Sequence, residues 1–344
     1  MKTVLLTGAS GYIGKHIALQ LLNQGYSVRA SVRSLSKSDE VRNAVLPHLI
    51  DKTKLDSRLT FVELDLEKDA GWDAALKGVD VLMHTASPFP IASPKDENEL
   101  IRPAVDGTLR ALKAAHNAGV HRVILTSSMA ALYGCDLPAG KSEYDETLWT
   151  DVSHPIGRVP YTKSKTLAEK AAWDYVKNSA PKIALTTINP VLVLGAPLDK
   201  NFGSSISVVE RILKGKDPML PDIRFAIVDV KDVALMHVAA ITNDATKGER
   251  LLASSETYSF VQIAKVLKSI YPKGKVKTTQ APSPLIKFLS LFDGEIKAVT
   301  PLLGKPMAIS GAKAKRVLGI SFIPVQVTLR DSADYLVKNG FIKI

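Results

Sequence analysis

Residues 2–7 (KTVLLT) form a short, nearly continuous apolar run. Residues 12–24 (YIGKHIALQLLNQ) change period, with Ile13, Ile17, Leu21 and Leu22 recurring at helical spacing. A strand, a turn and a helix are predicted in that order, and the pattern repeats. Apolar runs at about 26–32, 59–64 (LTFVEL), 79–84 (VDVLMH), 121–127 (HRVILTS) and 183–188 (IALTTI) alternate with helical stretches such as 97–118 and 161–177. Strands that are apolar throughout are buried on both faces, so the expected fold class is α/β, a doubly wound parallel sheet covered by helices. After Pro190 the rhythm loosens, and 195–225 and 270–310 are rich in Pro, Gly and Lys. These stretches predict a smaller C-terminal substrate-binding lobe. The expected division is 1–190 for a nucleotide-binding domain and 191–344 mainly for the lobe, with sheet elements around 224–253 returning to the first. PLIKFLSLF (284–292) is expected to pack in that lobe or to line its pocket.

Composition narrows the class. With 344 residues, 46% of them hydrophobic, the chain can close such a core without covalent staples. Its single cysteine, Cys135, excludes an internal disulfide framework and a cysteine-rich metal site, and it fits a reducing compartment. A cytoplasmic monomer or homodimer is expected. No apolar stretch reaches membrane-spanning length, so no membrane partner is expected. The net charge of +11 raises the question of nucleic acid, but the 45 Lys and Arg are scattered and not interleaved with aromatics. No nucleic-acid partner is expected.

The turn between the first strand and the first helix reads TGASGYIG (7–14). Glycines there let the backbone approach a pyrophosphate, and the helix N-terminus offers unpaired N–H groups to the anion. Thr7, Gly8, Gly11, Tyr12, Ile13 and Gly14 are therefore candidate dinucleotide contacts in a Rossmann-type unit. The second strand ends in VRASVRSLSK with no acid before Asp39, so Arg33 and Lys37 would meet a 2′-phosphate and the predicted cofactor is NADPH. Asp65 and Leu66, closing the third strand, are placed for the adenine. In HTASPF (84–89), the turn after the fourth strand, Thr85, Ala86 and Ser87 are further cofactor candidates.

Candidate chemistry lies in PYTKSKTLAEKAAW (160–173), where Tyr161 and Lys165 share one face at the start of a helix. A phenol beside an ammonium and a cationic nicotinamide is drawn toward its phenolate and can exchange a proton with a carbonyl or alcohol oxygen. LTSSMA, ending the fifth strand, offers Ser127 and Ser128; either could reach, and Ser128 is the preferred group to hold the substrate oxygen. There is no G-x-S-x-G elbow and no H-E-x-x-H spacing, so a serine hydrolase and a metal centre are not supported. His84, His121 and His237 abut apolar elements and read as structural.

Together these segments resemble an extended short-chain dehydrogenase/reductase, in the branch of dihydroflavonol, cinnamoyl-CoA and methylglyoxal (ketone) reductases. TGASGYIG, RVILTSS (122–128), YTKSKTLAEKAAWDY (161–175), NPVLVLGAP (189–197), IVDVKDVALMHV (227–238) and SGAKAKRVLG (310–319) all resemble segments of that branch. The resemblance implies Ser128, Tyr161 and Lys165 as the catalytic set. It also implies Ser127, Pro190, Val191 and Val193 along the cofactor, and Phe89, Tyr133 and Leu192 at the substrate. The implied reaction is hydride transfer from NADPH to a ketone or aldehyde. Flavonoid-reducing members often carry Asn five residues after the serine, where this chain has Tyr133; a small-to-medium aliphatic or aryl carbonyl is the substrate implied. The segment 129–160 and the lobe from about 195 would wall the pocket. A nucleotide-sugar epimerase or dehydratase, and a non-catalytic NADPH sensor, are the alternatives.

Overall fold

Strand β1 (Thr3–Thr7) turns Val4 and Leu6 to one side and Leu5 to the other, and all three are fully buried. That two-sided burial follows from the period of a strand set between two helical layers. The computed structural model describes residues 1–88, 96–292, 300–305 and 307–343. Seven strands form one parallel sheet in the order β3-β2-β1-β4-β5-β6-β9. Their ranges are β2 (Ser27–Val32), β3 (Leu59–Glu63), β4 (Val81–His84), β5 (Arg122–Thr126), β6 (Ala184–Pro190) and β9 (Glu249–Ala253). The predicted doubly wound sheet is present, and the order in which strands are added switches sides between β1 and β4, which themselves run parallel.

On one face, α1 (Tyr12–Asn23) and α2 (Ser38–Val45) bury Ile17, Leu21, Val41 and Val45 against Val4, Val28, Val81 and Ile124. The other face is covered by α4 (Trp72–Leu76), which follows the single turn α3 (Leu55–Arg58), and by α5 (Asn98–Asn117) and α6 (Pro160–Ser179). There Trp72, Leu76, Leu112 and Ala172 pack on Leu5, Leu82, Val123 and Leu185.

After β6 the chain enters a second sheet of three strands, β7 (Leu192–Leu194), β8 (Arg224–Asp229) and β10 (Glu256–Ser259), ordered β10-β8-β7. A separate apolar cluster gathers there. It joins α7 (Ile206–Leu213) and α9 (Phe260–Ile270) to the helix Val325–Lys338 through Val209, Ile212, Ile263, Leu267, Leu329 and Leu336. Between β8 and β9, α8 (Val230–Ala239) packs back on α1, and β9 then pairs with β6 in the main sheet. The segment 284–292 departs from expectation. Helix α10 (Ser283–Leu289) buries Ile286 alone, while Phe288, Leu291 and Phe292 stand exposed, so this apolar run does not pack inward. No helix among the described residues is long and apolar enough to cross a membrane.

Candidate active site

The carboxyl ends of β1, β4, β5 and β6 meet at one edge of the main sheet, where ligands of open α/β sheets gather. The glycine turn sits against the end of β4. Gly8 has φ +69°, and a Cβ on it would lie 2.7 Å from Ala86 N. A Cβ on Gly14 would fall 2.2 Å from the Gly8 carbonyl oxygen, so the helix can start this close to the strand only without a side chain there. The Thr7 hydroxyl joins the two turns by accepting from Thr85 N (3.1 Å) and Ala86 N (3.2 Å) and pairing with His84 Nδ1 (2.9 Å). Helix α1 is capped by Gly11, with no side-chain acceptor and no acid in its first turn. Its first N–H groups are therefore left for an external anion.

A cavity of about 350 Å³ opens from this turn, lined by Thr7, Gly8, Gly11, Arg33, Lys37, Leu66 and Thr85–Ser87 among others. Arg33 and Lys37 are exposed at its rim, and Lys37 is held 3.2 Å from Glu40. These features fit a dinucleotide carrying a 2′-phosphate: a cradle closed to any Cβ, a helix end without its own cap, and cations at the far lip. Asp65 is not in the lining. Its carboxylate accepts from Glu67 N (3.0 Å) and pairs with Lys68 (3.3 Å), while Leu66 alone of that pair faces the cavity. Tyr12 turns its phenol away to donate to Gly195 O (2.8 Å) in the second half of the chain. A larger open groove of about 530 Å³ beside α5 adjoins this cavity at Leu66 and is lined otherwise by charged and polar residues of α5 and its N-terminal approach, Asp96, Glu99, Arg102 and Asp106 among them.

At the other end, Pro160 opens α6 and places Tyr161 in its first turn, one turn before Lys165. The Tyr161 phenol is hydrogen-bonded to the Ser128 hydroxyl. The Lys165 ammonium lies 6.0 Å from the Tyr161 ring centre and donates to Ser87 Oγ at 2.9 Å, which links the chemistry end to the cofactor cradle. Burial raises the Tyr161 phenol above its ordinary pKa, against the opposing pull of Ser128. Burial also lowers Lys165 to about 8, with Glu169 pulling the other way.

The two serines diverge. Ser128 Oγ accepts from Ala130 N (3.2 Å) and meets Tyr161, whereas Ser127 Oγ donates to Glu169 at 2.5 Å and points into the protein. Of Ser127, only the backbone and Cβ remain to face a cofactor. The Tyr133 phenol bonds to Thr162 beside Tyr161, and burial raises it. Pro190 ends β6, Val191 and Val193 are buried beyond it, and Leu192 is half-buried against the second sheet's cluster. Phe89 lies outside the described residues. His84 and His237 are buried and held neutral, at about 3 and about 4, whereas His121 is exposed.

Two buried charge clusters escape a reading by motif. Lys15, in the first turn of α1, donates to Glu40 (2.6 Å) and to Asp199 (2.5 Å) in the loop after β7. Glu169, one turn beyond Lys165, accepts from Ser127, Trp173 Nε1 (3.2 Å), Asn189 Nδ2 (2.6 Å) and Arg250 Nε (2.7 Å). The sequence signal for Glu169 is its place four residues after Lys165, on the same helical face.

The chain belongs to the NAD dependent epimerase/dehydratase family, which it matches over residues 4–253. Among its relatives, a putative NADPH-dependent methylglyoxal reductase of Candida albicans is 31% identical, the alignment covering 97% of this chain and 98% of the relative. A cinnamoyl-CoA reductase of Medicago truncatula is 31% identical over 99% of this chain and 97% of its own length. Among solved structures, the yeast methylglyoxal/isovaleraldehyde reductase Gre2 complexed with NADPH superposes with a TM-score of 0.80. It is 26% identical, over 99% of this chain and 100% of that one.

Proposed function

We infer that this protein is an NADPH-dependent carbonyl reductase, converting a ketone or aldehyde to an alcohol. The observation that carries the reading is the Tyr161–Ser128 hydrogen bond, with Lys165 one turn away and bonded to Ser87 at the rim of the dinucleotide cradle. NADPH supplies the hydride when bound. Tyr161, kept protonated by burial, is the acid that delivers a proton to the substrate oxygen. Ser128 holds that oxygen beside the phenol. Lys165 keeps a positive charge behind Tyr161 and would hold the nicotinamide ribose hydroxyls. Arg33 and Lys37 select the 2′-phosphate, and residues 191–344 mainly shape the substrate side.

The substrate class proposed is a small-to-medium aliphatic or aryl carbonyl, narrowed by Tyr133, which occupies the space beside Tyr161. We place the enzyme in the cytoplasm as a monomer or homodimer. The test is the loss of reduced-nicotinamide absorbance with aldehydes, diketones, β-keto esters and flavanonols, each with NADPH and NADH. Turnover of small carbonyls with NADPH is expected. Conversion of a nucleotide sugar with no net cofactor oxidation would replace this reading with that of an epimerase.

A further inference from the structure

Between Lys165 and Glu169 lies a small cavity of about 10 Å³, bounded also by Ser87, Thr126 and Ser127, about the space of one water. Glu169 is 1% exposed, and donors from α6, β6, β9 and the end of β5 converge on it. These donors occupy both oxygens of the carboxylate, and the cost of its burial is offset by Arg250. Arg250 in turn lies 3.7 Å above the Trp149 ring and donates to Glu146 O and Leu148 O.

We propose that Glu169 is a positioning residue of this active site: its buried carboxylate is the counter-charge of Lys165 and the anchor of the Ser127–Ser128 turn. The proposal rests on the reductase reading and adds to it a group that touches neither substrate nor cofactor.

The geometry supports both halves. Ser127 donates to one oxygen of Glu169, and Asn189 bridges that same oxygen to Ser128 O (3.1 Å). The Ser128 hydroxyl is thereby left on the opposite side, toward Tyr161. On the charge side, the groups around Lys165 are neutral from every other element. Ser87 and His84 come from the end of β4 and Thr126 from β5, with His237 of α8 bonded behind Thr126; Tyr161 lies on α6 itself. Among the described residues, Glu169 is the acid whose charge acts on Lys165, and it opposes the burial that lowers it. The cation on Glu169 itself is Arg250; Lys170 faces the Trp149 ring instead.

The sign of the test follows. Removing the negative charge favours loss of the Lys165 proton, so a limb that depends on protonated Lys165 moves to lower pH. For Glu169→Gln, the alkaline limb of kcat/KM for NADPH-dependent reduction should move down by about one pH unit, as for loss of a nearby opposite charge. Glu169→Asp should restore it. Trp173→Phe removes one donor from the same carboxylate but no charge, and should leave the limb in place. If Glu169→Gln does not fold because Arg250 is left unpaired, the double variant Glu169→Gln/Arg250→Gln removes both charges together. It should show a smaller downward shift.

An NMR titration of Lys165 in the full chain, after 13C-methylation of its lysines and assigned with Lys165→Arg, reads the same shift without turnover. A downward move there with no carbonyl reduced by any variant would retain the proposal and reject the reductase reading. Coincident Lys165 titrations in wild type and in folded Glu169→Gln, or in the double variant, would overturn the proposal.

Discussion

The dinucleotide cradle and the Tyr161 site share one edge of one sheet and are built in opposite ways. At the cradle, recognition rests on backbone and on cations in water: a helix end without a side-chain cap, two glycines that tolerate no Cβ, and exposed Arg33 and Lys37. At the other end the charged groups, Lys165, Glu169 and Arg250, are all buried. Exposed charges act nearly independently and are screened by salt. Buried ones are coupled, because removing one leaves its partner unpaired in a medium that penalises it. The cradle should therefore respond to mutation through cofactor affinity, one contact at a time. The chemistry end should respond through turnover and pH, several groups at once.

The largest effect tests that division at its sharpest point. Tyr161→Phe removes the acid and should lower kcat by about 10²- to 10⁴-fold, the usual worth of a positioned acid, with the NADPH dissociation constant unchanged. Full turnover in this variant would break the assignment of roles. Arg33→Ala should act on the opposite side of the comparison. Loss of a charge-assisted contact of about 1.5–3 kcal/mol weakens NADPH binding roughly 10- to 100-fold. NADH binding should be unaffected, and the difference should shrink at high salt. Equal weakening of both cofactors would remove the 2′-phosphate from that site.

The wild-type pH profile is the next measure. Lys165 is lowered to about 8 by burial, so it is charged below that pH and neutral above it. The kcat/KM for reduction should fall about tenfold for each unit above pH 8. A rate independent of pH between 7 and 10 would contradict a charged Lys165 in the reaction. The smallest effect is expected from Tyr133→Phe. It deletes the bond to Thr162 beside the acid and should change kcat/KM a few-fold, the scale of one neutral hydrogen bond of about 1 kcal/mol, with NADPH binding untouched.

The same contrast governs how much could be read in advance. The cradle is legible because its parts are local: a turn, a helix end and the close of the next strand each follow within a few residues. Tyr161 and Lys165 are legible for the same reason, being one helical turn apart. Whether PLIKFLSLF packs or lines a pocket is not legible, because an apolar segment carries no mark of whether a neighbour covers it; in the fold Phe288, Leu291 and Phe292 stand exposed. Asp65, a candidate from its place at a strand end, also closes its own turn with Glu67 N and Lys68, a local role that its position alone does not reveal. Strand-end acids serve local turns as readily as they serve ligands.

From the sequence alone, the order of strands and helices, the glycine cradle, the choice of dinucleotide and the Tyr161–Lys165 pair follow from periodicity and short-range stereochemistry. The tertiary structure decided between Ser127 and Ser128, and it brought Glu169, Asn189 and Arg250 behind them. Pairing of β5 with β6, and of β6 with β9, sets those residues side by side across long stretches of chain. Beyond β5, Ser127 N donates to Ile188 O (2.8 Å), which turns its hydroxyl inward to Glu169 and leaves its neighbour's toward Tyr161. Which of two adjacent side chains faces a site depends on the strands laid beside them, and no local pattern contains that information.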